Sequence, residues 1–212
     1  MQTGRTIGIL LAGGLARRMG GGDKALRNLC GLPLLAHVIA ALRPQCGGLI
    51  ISANGDPARF SSFEVPVVAD NVPGFNGPLA GILAGLDWIA SNSPDTPLAI
   101  SVPADTPFLP GTLVARLAGA RKESASLLAC AGSGGRIHPA VALWPVAIRD
   151  DLRRALLCES MRKVEGFAQN YSRAIVGWPV DPVDPFFNAN EPSDLARAEE
   201  ILLGRQKAGV SL

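Results

Sequence analysis

Residues 11–24 read Leu-Ala-Gly-Gly-Leu-Ala-Arg-Arg-Met-Gly-Gly-Gly-Asp-Lys, a run of glycines interleaved with cations. Consecutive glycines let backbone N–H groups approach and wrap a phosphate chain that side chains would hold off. Arg17, Arg18 and Lys24 bring up to three positive charges to the same place. An arginine grips phosphate oxygens with two donors, and a lysine supplies a point charge. Transfer chemistry at phosphorus is mostly positioning and charge neutralisation, so this loop carries the parts for it. Arg17 alone reads equally well as a solvent-facing residue beside a working Arg18 and Lys24. A Walker A loop is excluded, since no Gly-Lys pair occurs in the chain, and the G-x-G-x-x-G dinucleotide pattern is missing as well.

The carboxylates come next. Asp105 lies in Pro103-Ala104-Asp105-Thr106-Pro107-Phe108, just past an apolar run. A lone Asp at a strand end, framed by prolines, suits a hard cation, because Mg²⁺ takes one or two carboxylates and completes its shell with phosphates and water. The competing structural role is a cap on the helix expected from about residue 110, but caps sit immediately before their helix. Asp70 ends another apolar run and reads either as a pocket residue or as an ordinary turn former in Asp-Asn-Val-Pro. Ser52-Ala53-Asn54 follows a third run, and Gly77-Pro78-Leu79-Ala80-Gly81 opens a helix, where Pro at the first turn is structurally sufficient. Asn188 and Asn190 precede Pro192 and a final helix. An amide there serves a ligand or caps the helix, and the cap competes most strongly at Asn190. His138 sits in Arg136-Ile137-His138-Pro139, where a structural role competes with a ligand-facing one, and His37 reads as structural. Two histidines without a spaced cluster argue against catalytic zinc.

These residues need a frame. Period-2 and unbroken apolar runs predict strands over 6–11, 49–52, 65–69 and 98–102. Period-3.6 stripes predict helices over 33–42, 78–90 and 112–120. The third strand contains Pro66 and belongs near an edge. Further on, strands over 126–131 and 140–144 flank a Gly-rich hairpin at 132–135. A helix over 148–157, a strand over 174–178, a Pro-rich loop over 179–185 and a closing helix over 192–203 complete the chain. Leu195, Ala198, Ile201 and Leu202 form the inward stripe of that last helix. The order predicts an α/β fold with a doubly wound, mostly parallel, Rossmann-like sheet, which binds ligands at the C-terminal ends of its strands. The polar clusters fall there: after Leu11, Ser52, residue 69 and Val102.

The stretch Leu-Ala-Gly-Gly-x-Ala-x-Arg-Met-Gly-Gly-x-Asp-Lys resembles the signature of the molybdenum cofactor guanylyltransferases, within the nucleotidyltransferase fold that also holds the sugar-nucleotide pyrophosphorylases. Cytidylyltransferase relatives tend to Ala-Ala-Gly where this chain has Ala12-Gly13-Gly14. The resemblance spans most of the chain and is sharp at residues 8–24, 77–81, 103–107 and 186–192. It implies transfer of GMP from GTP to the terminal phosphate of the molybdenum-pterin (molybdopterin) cofactor, with pyrophosphate released. It implies Mg²⁺ on Asp105 and a catalytic set of Arg18, Lys24 and Asp105. Leu11, Ala12, Gly13, Gly14, Lys24, Ser52, Asp70 and Asp105 would surround the nucleotide. Gly77, Pro78, His138, Asn188 and Asn190 would face the acceptor. The family often has Asn at position 52; Ser is shorter and lacks an amide donor, which leaves Asn54 as a neighbour to consider. GTP and the pterin cofactor are the implied partners, with transient contacts to other proteins of the same biosynthesis and to molybdoenzymes. Rival readings are the same transfer with CTP or a sugar phosphate, and a GTP-binding domain without catalysis.

Composition sets the outer bounds. The 212 residues fit one domain over 1–212, with 205–212 as a frayed tail, and 48% apolar content supports a sizeable core. A net charge of +2, from 20 basic and 18 acidic residues, argues against broad nucleic-acid or membrane binding. Cys30, Cys46, Cys130 and Cys158 form no C-x-x-C pair and read as reduced thiols. No apolar run reaches the length of a membrane span. A cytoplasmic monomer is the expectation.

Overall fold

Side-chain alternation along the first strand sets the architecture. In β1 (Thr6–Leu11), Ile7 and Ile9 enter one core while Leu10 enters another on the opposite face. A strand covered on both faces belongs in the middle of a layered α/β sheet. The computed structural model describes residues 6–13, 23–70, 72 and 77–208, with side chains to residue 204.

After β1 come a short hairpin, β2 (Asn28–Leu29) and β3 (Leu32–Pro33), then α1 (Leu34–Leu42), β4 (Gly48–Ser52), β5 (Val67–Val68), α2 (Pro78–Asn92) and β6 (Leu98–Pro103). The second half holds α3 (Leu113–Glu123), β7 (Leu128–Ser133), β8 (Arg136–Pro145), α4 (Arg149–Glu159), α5 (Val164–Ala168), β9 (Arg173–Trp178) and α6 (Pro192–Ala208). Among the described residues a seven-stranded sheet runs β5-β4-β1-β6-β8-β7-β9. β8 alone runs antiparallel to its neighbours; the other pairings are parallel. Leu35, Val38 and Leu42 of α1 and Leu113 and Leu117 of α3 cover one face. Leu83 and Leu86 of α2, Leu152 of α4 and Phe167 of α5 cover the other. The sheet is therefore doubly wound and mostly parallel, as the sequence predicts. Ala198 and Leu202 of α6 close a third, smaller core on Leu29, Leu34 and Phe108.

Boundaries shift in instructive ways. The expected strand over 65–69 shrinks to Val67–Val68 at the sheet edge, where Pro66 limits pairing. The expected hairpin turn narrows to Gly134 and Gly135, both at positive φ, and β7 extends to Ser133. The β2–β3 hairpin, α5 and a 3₁₀ helix at Pro57–Phe63 carry too few residues to produce a readable period.

Register fixes the height of the strand ends. Leu11 pairs with Ser52 on one side and with Pro103 on the other. One step higher, Ala12 N–H donates to Ser52 O (2.9 Å), Ala53 N–H to Val68 O (2.9 Å) and Ala104 N–H to Leu11 O (3.1 Å). The segments carrying Gly13, Asn54, Asp70 and Asp105 thus leave the sheet on one level, with neighbouring strands about 4.8 Å apart. Buried Gln45 steadies the chain beyond Asp105: its amide donates to Ala41 O and Pro110 O and accepts from Val114 N–H, tying the end of α1 to the start of α3.

Two glycines let α2 lie close on this sheet. A Cβ on Gly81 would stand 2.6 Å from Ser52 Oγ, and one on Gly85 would stand 2.6–2.8 Å from three side-chain carbons of Ile9. Alanine is favoured over glycine inside a helix by about 1 kcal/mol, but overpacking a closed core costs about 1–3 kcal/mol. Gly85→Ala should therefore lower stability in urea unfolding, and lower it less in an Ile9→Ala background. Equal losses in the two backgrounds would show that the close approach is not what fixes this glycine.

Candidate active site

Lys24 opens a 3₁₀ turn, Lys24–Leu26, directly after the Gly-rich segment. Its ammonium pairs with Asp105 Oδ2 and also donates to Asn190 Oδ1. Both side chains of the ion pair are largely shielded, at 13% and 14% exposure, so the attraction is less screened than at an open surface. Residues from three distant parts of the chain thus meet at the C-terminal ends of β1 and β6.

The backbone braces that meeting. Ala189 N–H donates to Asp105 O (3.1 Å), and buried Thr106 donates from its hydroxyl to Asn188 Oδ1 (2.9 Å). Asn190 does not cap α6 with its side chain. Asp194 does that work, its carboxylate accepting from the N–H groups of Asn190 (2.8 Å) and Glu191 (2.9 Å). The cap thus falls to Asp194, and the Asn190 amide oxygen accepts from Lys24 instead.

On the β4 side, Asn54 and Asp70 bond reciprocally. The Asn54 amide donates to Asp70 Oδ2 (3.0 Å), and Asp70 N–H donates to Asn54 Oδ1 (2.8 Å). Partial burial pushes the Asp70 carboxyl above its ordinary value, and the bond from Asn54 pulls it back in part. Ser52 sits beneath α2 against Gly81 and is only 3% exposed. The exposed amide at this strand end belongs to Asn54, two residues past the position where the resembling family carries its asparagine.

Of the other expected residues, Leu11 ends β1, Ala12 is buried, and Gly13 is exposed, with no described residue within 4 Å of where its Cβ would stand. Gly77 stands at the N-cap of α2 and Pro78 is its first residue. Gly14, Arg17 and Arg18 lie outside the described residues.

His138 stands on β8, opposite Ala131, at this same end of the sheet. Its Nε2 lies 2.8 Å from Ser133 Oγ, and Ser133 donates to Asp184 Oδ1 at 2.8 Å. A hydroxyl has one proton. With that proton given to Asp184, the imidazole must be the donor, protonated at Nε2. Ser, His and Asp are all present here, but the hydroxyl sits between the other two and gives its proton to the carboxylate. A hydrolytic triad needs the imidazole in the middle, accepting that proton. The arrangement instead joins the β7–β8 hairpin to the loop bearing Asn188 and Asn190, and the imidazole packs 4.9 Å from the Phe186 ring. Sequence reasoning misses Arg59, Thr106, Ser133, Asp184 and Asp194, since the first four act through partners distant in the chain and the last through a local cap.

A family model described as the MobA-like NTP transferase domain matches residues 8–173. The chain belongs to this family. It is 59% identical over 198 residues to a molybdenum cofactor guanylyltransferase of Rhodopseudomonas palustris strain BisB5, covering 93% of this chain and 94% of the relative. A protein of the same name from Bradyrhizobium sp. strain ORS 278 is 60% identical over 194 residues, covering 92% of each chain. The fold is shared with molybdopterin-guanine dinucleotide biosynthesis protein A from Archaeoglobus fulgidus, at a TM-score of 0.72 and 24% identity over 94% of this chain and 99% of that one. In this MobA-like chain the family-matched segment contains Lys24, Asp70, Asp105 and His138, while Asn188 and Asn190 lie past its end.

Burial lowers the His138 pKa, with Asp184 raising it and Arg136 lowering it. A depressed histidine stabilises the fold fully above its unfolded value and loses that contribution as pH falls through the folded one. The imidazole should titrate below 6.5 by NMR, with stability rising with pH in the window just under that value. Asp184→Asn should lower the pKa further by removing the nearby negative charge. A rise on that substitution would break the assignment of Asp184 as the raising partner.

Proposed function

We propose that this chain is a molybdenum cofactor guanylyltransferase, moving GMP from GTP to the terminal phosphate of the molybdenum-pterin cofactor and releasing pyrophosphate. The meeting of Lys24, Asp105 and Asn190 at the ends of β1 and β6 carries the reading. It places a cation, a carboxylate and an amide beside the end of the strand that feeds the glycine-rich loop. Relatives at 59–60% identity bear the guanylyltransferase name.

In this reading the motif of residues 11–24 binds the triphosphate, with Lys24 supplying positive charge; Gly14 and Arg18, assigned to the same task, lie outside the described residues. Asp70, oriented by Asn54, stands on the nucleoside side beyond β4. Gly77 and Pro78 at the start of α2, with His138, Asn188 and Asn190, face the acceptor. The partial positive charge of a helix N-terminus favours a phosphate near Gly77.

Among the described residues no cluster of three or more His, Cys, Asp or Glu stands ready to cage an ion. A single carboxylate fits Mg²⁺, which dehydrates reluctantly and is held by one or two carboxylates together with substrate phosphates. Asp105 would hold it, and when bound it would offset charge on the reacting phosphates. Lys24 pairs with Oδ2 of the same carboxylate, so the ammonium would yield part of that contact to a bound ion. An acceptor phosphate oxygen attacks the α-phosphorus of GTP. The bond from that phosphorus to the β-phosphate bridging oxygen breaks, and its electron pair leaves with pyrophosphate. An ionised phosphate needs no general base, which agrees with a site lacking a Ser–His nucleophile pair. The reading places the reaction in the cytoplasm, with the chain acting as a monomer. Its four cysteines are unpaired, and burial pushes Cys46 up to about 12 and Cys130 up to about 11.

Pyrophosphate release should appear with GTP, Mg²⁺ and the pterin acceptor, stop on chelation and return on adding Mg²⁺. Asp105→Asn should lower kcat by about 10²–10³-fold with the fold intact, the scale of losing one charge-stabilising group in such a site. Transfer from CTP with none from GTP would overturn the choice of base. Full turnover by Asp105→Asn would overturn the role of the carboxylate.

A further inference from the structure

We infer that Arg59 is a positioning residue that couples the phosphate and nucleoside halves of the nucleotide site. The inference rests on the proposed reading of that site. Arg59 lies in the 3₁₀ helix Pro57–Phe63, outside every motif. Its guanidinium pairs with the carboxylate of Asp23, the residue immediately before Lys24. The same group donates to the backbone carbonyls of Asn54 and Asp56. Asn54, in turn, uses its side chain to orient Asp70. One cation therefore holds the base of the phosphate-binding Lys24 and the backbone of the residue that aims Asp70.

The surroundings are shaped for this cation. Its carbon lies 4.6 Å from the centroid of Phe60, a fully buried ring. Gly55 adopts φ +87°, and a Cβ there would approach Arg59 Nη1 to 3.2 Å, so glycine serves both the turn and the space for the guanidinium. Asp56 accepts from Ala58 N–H at 2.9 Å and Pro57 follows it, which starts the helix where Arg59 points back toward Asp23. A planar fork donates to two carbonyls at once while its Nε edge faces the Asp23 carboxylate as an ion pair without a hydrogen bond; a lysine is a single point charge. Ion pairs at open surfaces contribute little, but this one is mostly covered, at 24% and 18% exposure.

The test uses equilibrium displacement of a fluorescent GTP analogue in Mg²⁺ buffer by two fragments, guanosine and tripolyphosphate. The full chain is compared with Arg59→Met, Arg59→Lys and Asp23→Asn, each checked for folding by its thermal transition. Arg59→Met should weaken binding of the analogue about tenfold and weaken both fragments, because the loss acts on binding at either end. Arg59→Lys should recover only part of the loss. Asp23→Asn should chiefly weaken tripolyphosphate, and combining it with Arg59→Met should add little for that fragment. Unchanged affinities in a folded Arg59→Met protein overturn the inference, as does a loss confined to one fragment. Should Arg59→Met fail to fold, Arg59→Lys and Asp23→Asn decide by the same fragment pattern, and wild-type affinities in both overturn the inference. A wild-type chain that binds neither the analogue nor the fragments instead refutes the nucleotide site itself.

Discussion

The in-register ends of β1, β4 and β6 are the constraint on which the site depends. Parallel strands hydrogen-bonded at one height deliver their outgoing loops to one rim. Here the rim receives Gly13 past β1, the Asn54–Asp70 pair past β4 and β5, and the Asp105 carboxylate past β6. A slip of one residue in β6 would move Asp105 by about 3.3 Å and turn its neighbours to the wrong face. Burial on both faces resists that slip, since Ile100 and Val102 belong to one core and Ala99 to the other. The chemistry is thus anchored by hydrophobic alternation several residues below it.

Above that rim the Lys24–Asp105 pair joins the ends of two strands, and Asn190 brings in the segment before α6. Shielded pairs of this kind are costly to break from one side, because the surviving charge has lost its hydration without keeping a partner. The loop over 184–190 is fixed at several points: Asp184 on Ser133, Asn188 on Thr106, and Ala189 on the Asp105 backbone. Each of these bonds is made without the Lys24 side chain, so the loop's position does not depend on where the ammonium lies.

Much of the frame was legible because periodicity survives in single sequences. β1 matches its expected span, α2 begins at Pro78 as expected, and Asp105 falls past β6 and well before α3. The motif around Lys24 and Asp105 was legible for a different reason: glycine, cation and carboxylate types announce phosphate chemistry without any knowledge of contacts. What stayed hidden were the pairings. Nothing local distinguishes Arg59 from any exposed arginine, because its meaning comes from Asp23, 36 residues earlier in the chain. Ser133 and Asp184 are hidden in the same way. Asn190 was ambiguous only until Asp194 took over the cap, a local competition that the sequence offers but does not decide.

Position 52 is set by packing. The close approach of α2 requires Gly81 to leave room beside Ser52, and the hydroxyl is enclosed as a result. An asparagine at 52 would carry more atoms into a space already filled to contact, so a longer side chain there demands that α2 or its own rotamer shift. In this chain the amide stands two residues on, at Asn54, where the strand has ended and the side chain reaches Asp70. Side chains alternate faces along a strand, so a two-residue step returns to the original face if the extended backbone continues. The smaller residue thus seals the helix against the sheet, and the amide of this rim stands past the strand end at Asn54.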